Sequence, residues 1–182
     1  MNQTSAQSNP LQRLIDAIDH FSELTGRAVA WLTLLMVLLT FIIVVLRYGF
    51  DSGWIALQES VTWLHATVFM LGASYALKRD SHVRVDIFYQ KYSPRGRALV
   101  NLIGSLLLLL PVCLFIFLAS WDYVLGAWAI GENSAETGGL AALYLLKSLL
   151  LMMPALLILQ ALAHSLRAWL ILRAPDQNLR ET

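Results

Sequence analysis

Charge is scarce in this sequence. Of 182 residues, 13 are Lys or Arg and 12 are Asp or Glu, 14% in all, whereas 58% are hydrophobic and the mean hydropathy is +0.62. Residues 28 to 46 hold no charged side chain, and neither do residues 98 to 121. An ordinary soluble domain carries about a quarter of its residues as Asp, Glu, Lys and Arg, so this composition excludes that class and implies a membrane protein. There is a single cysteine, Cys113, inside the second run. An internal disulfide is therefore excluded, and a thiol in lipid reads as a small packing residue rather than a reactive one. The segments outside the apolar runs contain no Gly-rich phosphate loop, no Cys and His cluster and no Ser, His and Asp set, so nothing in them points to an enzyme.

What is present is length. A helix crosses a hydrocarbon core of about 30 Å in roughly 20 residues. The runs at 28 to 48 and 98 to 121 satisfy that outright, 56 to 77 does so with Glu59 and His65 inside it, and 140 to 172 does so with Lys147, His164 and Arg167. The fold class expected is therefore an all-α membrane protein with four transmembrane helices. The first run is not expected to be a secretory signal, because 27 residues of mixed charge precede it and no small-residue cleavage site follows.

With four spans the loops alternate sides. Arg13, Arg27, Lys78, Arg79, Arg84, Lys91, Arg95, Arg97, Arg167, Arg173 and Arg180 then share one side, leaving Arg47 and Lys147 on the other. The positive-inside rule places both termini and the 78 to 97 loop in the cytoplasm, with the 122 to 139 loop outside. Trp31, Tyr75 and Trp169 fall near the inner boundary, and Tyr48, Trp54, Trp121, Tyr123, Trp128 and Tyr144 near the outer one, where aromatic rings favour the headgroup level.

Before the first span, Leu11, Leu14, Ile15, Ile18 and Phe21 recur at spacings of three and four, with Arg13, Asp16, Asp19 and Glu23 opposite. Asn9 can cap such a helix and Pro10 suits its first position, so an amphipathic helix over 10 to 27, lying along the inner membrane surface, is expected. Between spans two and three, Asp86 can cap a short interfacial helix over residues 87 to 92, and Ser93 with Pro94 can start span three. Residues 173 to 182 form a cytoplasmic tail. Pro111 and Pro154 fall near the middle of their spans and can kink them. Gly72, Ala73 and Ala76 form a small-residue face on span two that allows close helix approach.

Ionisable groups at membrane depth are the first place to look for function. Glu59 lies about one turn inside the outer end of span two and is placed to pair with Arg47 of the neighbouring span, while Lys147 can snorkel outward. No acid stands at mid-depth and no span is broken by paired Gly and Pro, which argues against a self-sufficient transporter. Two histidines raise the alternative of a haem-binding anchor of a respiratory oxidoreductase. His65 and His164, however, lie roughly 14 Å and 36 Å from the outer ends of their spans, levels too different for one haem iron. His65 is read as a polar contact between helices and His164 as an inner-interface residue. An independent small channel is a third reading. The basic loop is interleaved with acids and aliphatics, which does not suit nucleic acid.

The densest charge is in "HVRVDIFY", residues 82 to 89. Topology explains Arg84 but not His82 or Asp86. Span two and its exit, with Glu59, Trp63, Leu71-Gly72-Ala73, Tyr75-Ala76-Leu77, Arg79 and His82-Val83-Arg84-Val85-Asp86, followed by Ser93-Pro94-Arg95-Gly96-Arg97, resemble the small membrane subunit of tripartite ATP-independent periplasmic (TRAP) transporters. Glycine is usual in that family just before the histidine, where this chain has Asp80-Ser81.

The resemblance implies a bacterial or archaeal inner-membrane complex in which a periplasmic solute-binding protein delivers a carboxylate-type solute. A large membrane subunit carries it with sodium by an elevator motion, and the small subunit braces the static part and helps dock the binding protein. On that reading this chain holds no cofactor or metal of its own, since sodium couples in the large subunit. No apolar span follows residue 172, so the large subunit is expected to be a separate chain. Glu59, Arg79, His82, Arg84 and Asp86 are the polar residues expected to fix the bundle and its seam with that subunit.

Overall fold

The computed structural model describes residues 10 to 79 and 91 to 173. These residues form four helices and no strand: α1 (Pro10–Gly49), α2 (Ile55–Lys78), α3 (Pro94–Ala129) and α4 (Leu143–Arg173). Three of them, α1, α3 and α4, are long and apolar enough to cross a membrane. Asp86, His82, Arg84 and most of the expected 87 to 92 helix lie outside the described residues.

Helices α1 and α2 pack together antiparallel, and so do α3 and α4. Gly26 of α1 meets Tyr75 of α2, and Val29 meets Gly72 three residues on in one helix and three back in the other. Likewise Ser105 of α3 meets His164 of α4, and Trp128 meets Ser148. Helix α4 touches each of the others and holds more buried residues than any of them, among them Leu149, Pro154, Gln160, Ala161, Ala163 and Ala168. The upper end of the bundle, as named here, holds Gly49, Ile55, Ala129 and Leu143. The lower end holds Lys78, Pro94 and Arg173.

Helix α1 departs from expectation. It starts at Pro10, but no break separates an interfacial segment at 10 to 27 from the span; one helix of 40 residues runs about 60 Å. Its packed face draws on both sides of the amphipathic pattern. Ile15, Ser22 and Val29 are buried, and Asp19 and Gly26 fall on the same line at spacings of four and three. Leu14 and Phe21, from the apolar stripe, are each 50% exposed. Where helices pack beside lipid, apolar surface gains little by turning inward, whereas polar groups must find partners. Asp19 and Glu23 accordingly turn toward the bundle beside Ile15 and Ser22, while Arg13 and Asp16 are exposed.

Helix α3 starts as its sequence dictates: Ser93 accepts a hydrogen bond from the Gly96 N–H at 3.2 Å, with Pro94 in the first position. Gly104–Leu109 winds as a π-helix, in which Leu110 N–H reaches back to the Ser105 carbonyl. Pro111, just beyond, has no N–H to continue the regular ladder, and the wider turn absorbs that defect. Pro154, by contrast, sits buried within an unbroken α4.

Candidate functional site

The polar side chains gather into two clasps at opposite ends of the bundle. In the lower clasp, α1 ties to both α2 and α4. Gln160 of α4 is fully buried; its Oε1 accepts from Ser22 Oγ at 2.8 Å, and its Nε2 donates to Asp19 Oδ1 at 3.0 Å. Arg167, two turns further along α4, donates to the other Asp19 oxygen. One turn up α1 from Asp19, Glu23 accepts from Lys78 Nζ at 2.7 Å and from Arg79 Nη2 at 2.9 and 3.1 Å. Arg27 adds a 3.5 Å contact from within α1.

Glu23 precedes the apolar run of α1, so it titrates outside the span. The hydrogen bond from Lys78, with that from Arg79, outweighs partial burial and holds its carboxyl at about 2, against an ordinary 4.5. Arg79 also lies 5.3 Å from the centroid of the Tyr75 ring, and Glu23 raises the pKa of its guanidinium further.

The upper clasp folds the 131 to 142 loop onto α2 and α4. Glu59 Oε2 accepts from the Leu140 N–H at 2.6 Å, and its Oε1 accepts from Ser134 Oγ. Gly139 sits against this seat: a Cβ there would stand 2.8 Å from Glu59 Oε2 and crowd Ser134. The turn itself needs Gly138 at φ +82, a region that disfavours side chains. Asn133 Oδ1 accepts from the Ala142 N–H at 2.9 Å, which secures the next corner, where Ala142 has φ 71. Lys147 donates to Glu132 and lies 4.1 Å from the Tyr123 ring centroid. Trp128 stacks on Tyr144 at 4.5 Å between centroids and donates Nε1–H to Ser148 at 2.9 Å.

The structure differs from the sequence expectations at one pairing and at the two histidines. Glu59 bonds the loop rather than Arg47, which has no ion-pair partner among the described residues. The histidines exchange parts: His164 makes the contact between helices, 3.3 Å from Ser105 Oγ, whereas His65 is exposed on α2. Arg79 is in the lower clasp. Gly72 faces Val29, with room for a methyl at 3.9 Å; the tight approach is at Gly26, where a methyl would overlap the Tyr75 ring. Ala73 and Ala76 are half-buried on the same helix.

Ser22, Gly26, Gln160 and Ser134 escaped the sequence reading, and Glu23 was placed on a charged face without its partners. One signal did exist for two of them: a glycine inside a helical run weakens the helix, so Gly26 needs a reason such as close approach, and an amide deep in an apolar span, such as Gln160, needs a partner. Among the described residues no three His, Cys, Asp or Glu side chains gather to hold a metal ion.

Comparison with known proteins identifies related chains. The family model for tripartite ATP-independent periplasmic transporters, DctQ component, matches residues 36 to 170. A TRAP transporter small permease protein of Haemophilus influenzae is 37% identical over 87 residues, covering 48% of this chain and 53% of that relative. The C4-dicarboxylate TRAP transporter small permease protein DctQ of Vibrio cholerae is 31% identical over 88 residues, covering 48% of this chain and 38% of the relative. The matched stretch thus spans about half of the first relative and less of the second. No solved structure matches the chain. Since the family model covers most of its length, the chain belongs to the DctQ family, the small-subunit component of TRAP transporters.

Proposed function

We propose that this chain is the static brace of a sodium-driven, binding-protein-dependent importer of carboxylate-type solutes. In this reading α2 is the fourth span, since its 24 residues reach about 36 Å alongside α1 and α4. The lower end faces the cytoplasm with the basic residues, and the complex sits in the inner membrane. The large membrane subunit moves the solute and the sodium. This chain holds that subunit's static part and offers the 131 to 142 loop to the periplasmic binding protein.

The observation that carries the proposal is the pair of clasps. Hydrogen bonds and ion pairs tie α1, α2 and α4 together at the lower end and tie the loop to α2 at the upper end. A body cross-linked in this way suits a support rather than a moving carrier, because each sliding motion would strand buried polar groups. The carboxylate solute is supported by the name of the Vibrio cholerae relative.

The test is uptake of a labelled dicarboxylate by cells that express the large subunit and the binding protein with or without this chain. Sodium-dependent uptake that requires this chain is expected. Undiminished uptake without it would overturn the proposal.

A further inference from the structure

Helix α2 leaves one narrow line uncovered by α1 and α4. Its exposed residues, from the upper end down, are Ile55, Gln58, Thr62, His65 and Phe69, at spacings of three, four, three and four. Three of the five are polar. The rest of the outer surface at this depth is mostly apolar: α1 exposes Leu34, Val37, Leu38, Phe41 and Val45 beside Thr33 and Thr40, the latter bonded to the Met36 carbonyl at 2.8 Å, α3 exposes Leu107, Phe115 and Leu118, and α4 exposes Leu145, Met152, Leu159 and Leu162. Those faces suit lipid.

The α2 line does not. The side chains of Gln58 and His65 have no hydrogen-bond partner among the described residues, and the Thr62 hydroxyl has only a long 3.4 Å bond to the Gln58 carbonyl. Water cannot supply partners in a hydrocarbon core. Gln58, about 5 Å from the start of α2, is close to the headgroups, but His65 stands about 15 Å in, near the middle of the membrane. The imidazole is too short to reach either surface from there.

We propose that this line is the seat of a transmembrane helix of the large membrane subunit, whose hydrogen-bonding side chains meet Gln58, Thr62 and His65. The alternation of three and four is the pattern of two helices packed along a shallow left-handed crossing, so a single helix can follow the line over its full length. A different chain is preferred to a second copy because the family is one component of a tripartite system. This inference rests on the brace reading above and adds the face by which the brace is attached.

The test uses the complete transporter in cells, with a tag on this chain. A photo-reactive benzoylphenylalanine is placed at His65, at Thr62, or at Leu107 on the apolar face of α3. Adducts with the large subunit are expected from positions 65 and 62 and not from 107. In parallel, the double variant Gln58→Leu with His65→Leu should leave the yield and unfolding of the isolated chain unchanged, because those side chains have no partner among the described residues. Recovery of the large subunit on the tagged chain should fall roughly tenfold.

If the wild-type chain recovers the large subunit but adducts come only from 107, or the double variant recovers it undiminished, the α2 face is overturned and the brace reading stands. An adduct between two copies of this chain through position 65 also overturns the face. Failure of the wild-type chain to recover any large subunit overturns both.

Discussion

Ser22 of α1 donates to the side-chain amide of Gln160, 138 residues later in the chain, across 2.8 Å of the lower bundle. The same amide donates to Asp19, so one buried glutamine uses both of its ends to hold one helix face. In a bundle surrounded by lipid such contacts specify which helices meet and at what register, because apolar contact with lipid and with another helix is nearly equivalent.

Gln160→Leu removes both contacts and leaves Asp19 and Ser22 facing an apolar side chain. Its unfolding midpoint in a detergent titration should drop by the equivalent of about 1–3 kcal/mol, and Ser22→Ala, which removes only one bond, by less. An unchanged midpoint for Gln160→Leu would remove the glutamine from the account.

Gly26→Ala should weaken the junction of α1 and α2, because the new methyl overlaps the Tyr75 ring. A loss of about 1–3 kcal/mol is the usual outcome of overpacking. Gly49→Ala, with nothing within 4 Å, is the control, and Tyr75→Ala in the Gly26→Ala background should restore part of the loss. Equal effects at the two glycines would contradict the close approach.

Glu23 makes the lower clasp sensitive to acid. Its folded value of about 2 lies below the ordinary 4.5, so the ionised group contributes stability above about 4.5, and that contribution is lost as the pH falls from there toward 2. Thermal unfolding of the purified chain should be flat in this group's contribution at neutral pH and decline in that acid window. Glu23→Gln should lower stability at neutral pH and flatten the decline; an identical pH profile in the variant would exclude the clasp as its origin.

Glu59→Ala should free the 131 to 142 loop, which Glu59 holds through Leu140 and Ser134. Added protease should then cut this loop faster while the helices stay intact, and Gly139→Val should act alike by filling the carboxylate's seat. Equal cleavage rates in wild type and variants would show that the loop is held by other contacts.

The helices were legible because each rests on a local rule. Apolar length marks the bodies of α1, α3 and α4, and Pro10 and Ser93-Pro94 mark two starts. The clasps were not legible, because each depends on which residues of separate helices face one another. Arg47 and Lys147 show the limit: both are basic and near an upper span end, yet Lys147 meets Glu132 while Arg47 does not meet Glu59. On α1 the amphipathic pattern did not tell which of its polar residues meet the other helices. Asp19, Ser22 and Glu23 turn inward because their partners stand on α2 and α4, while Arg13 and Asp16 of the same polar side stay exposed.

The central claim is that this body does not move during transport, and a reversible lock tests it. In a Cys113→Ala background, Val29→Cys and Gly72→Cys face one another across α1 and α2, where Val29 Cγ1 lies 3.9 Å from the position of a Gly72 Cβ, close to the reach of a disulfide. Uptake by the assembled transporter is measured after oxidation and again after reduction. A static brace predicts the same rate in both states; uptake that stops on oxidation and returns on reduction would contradict it.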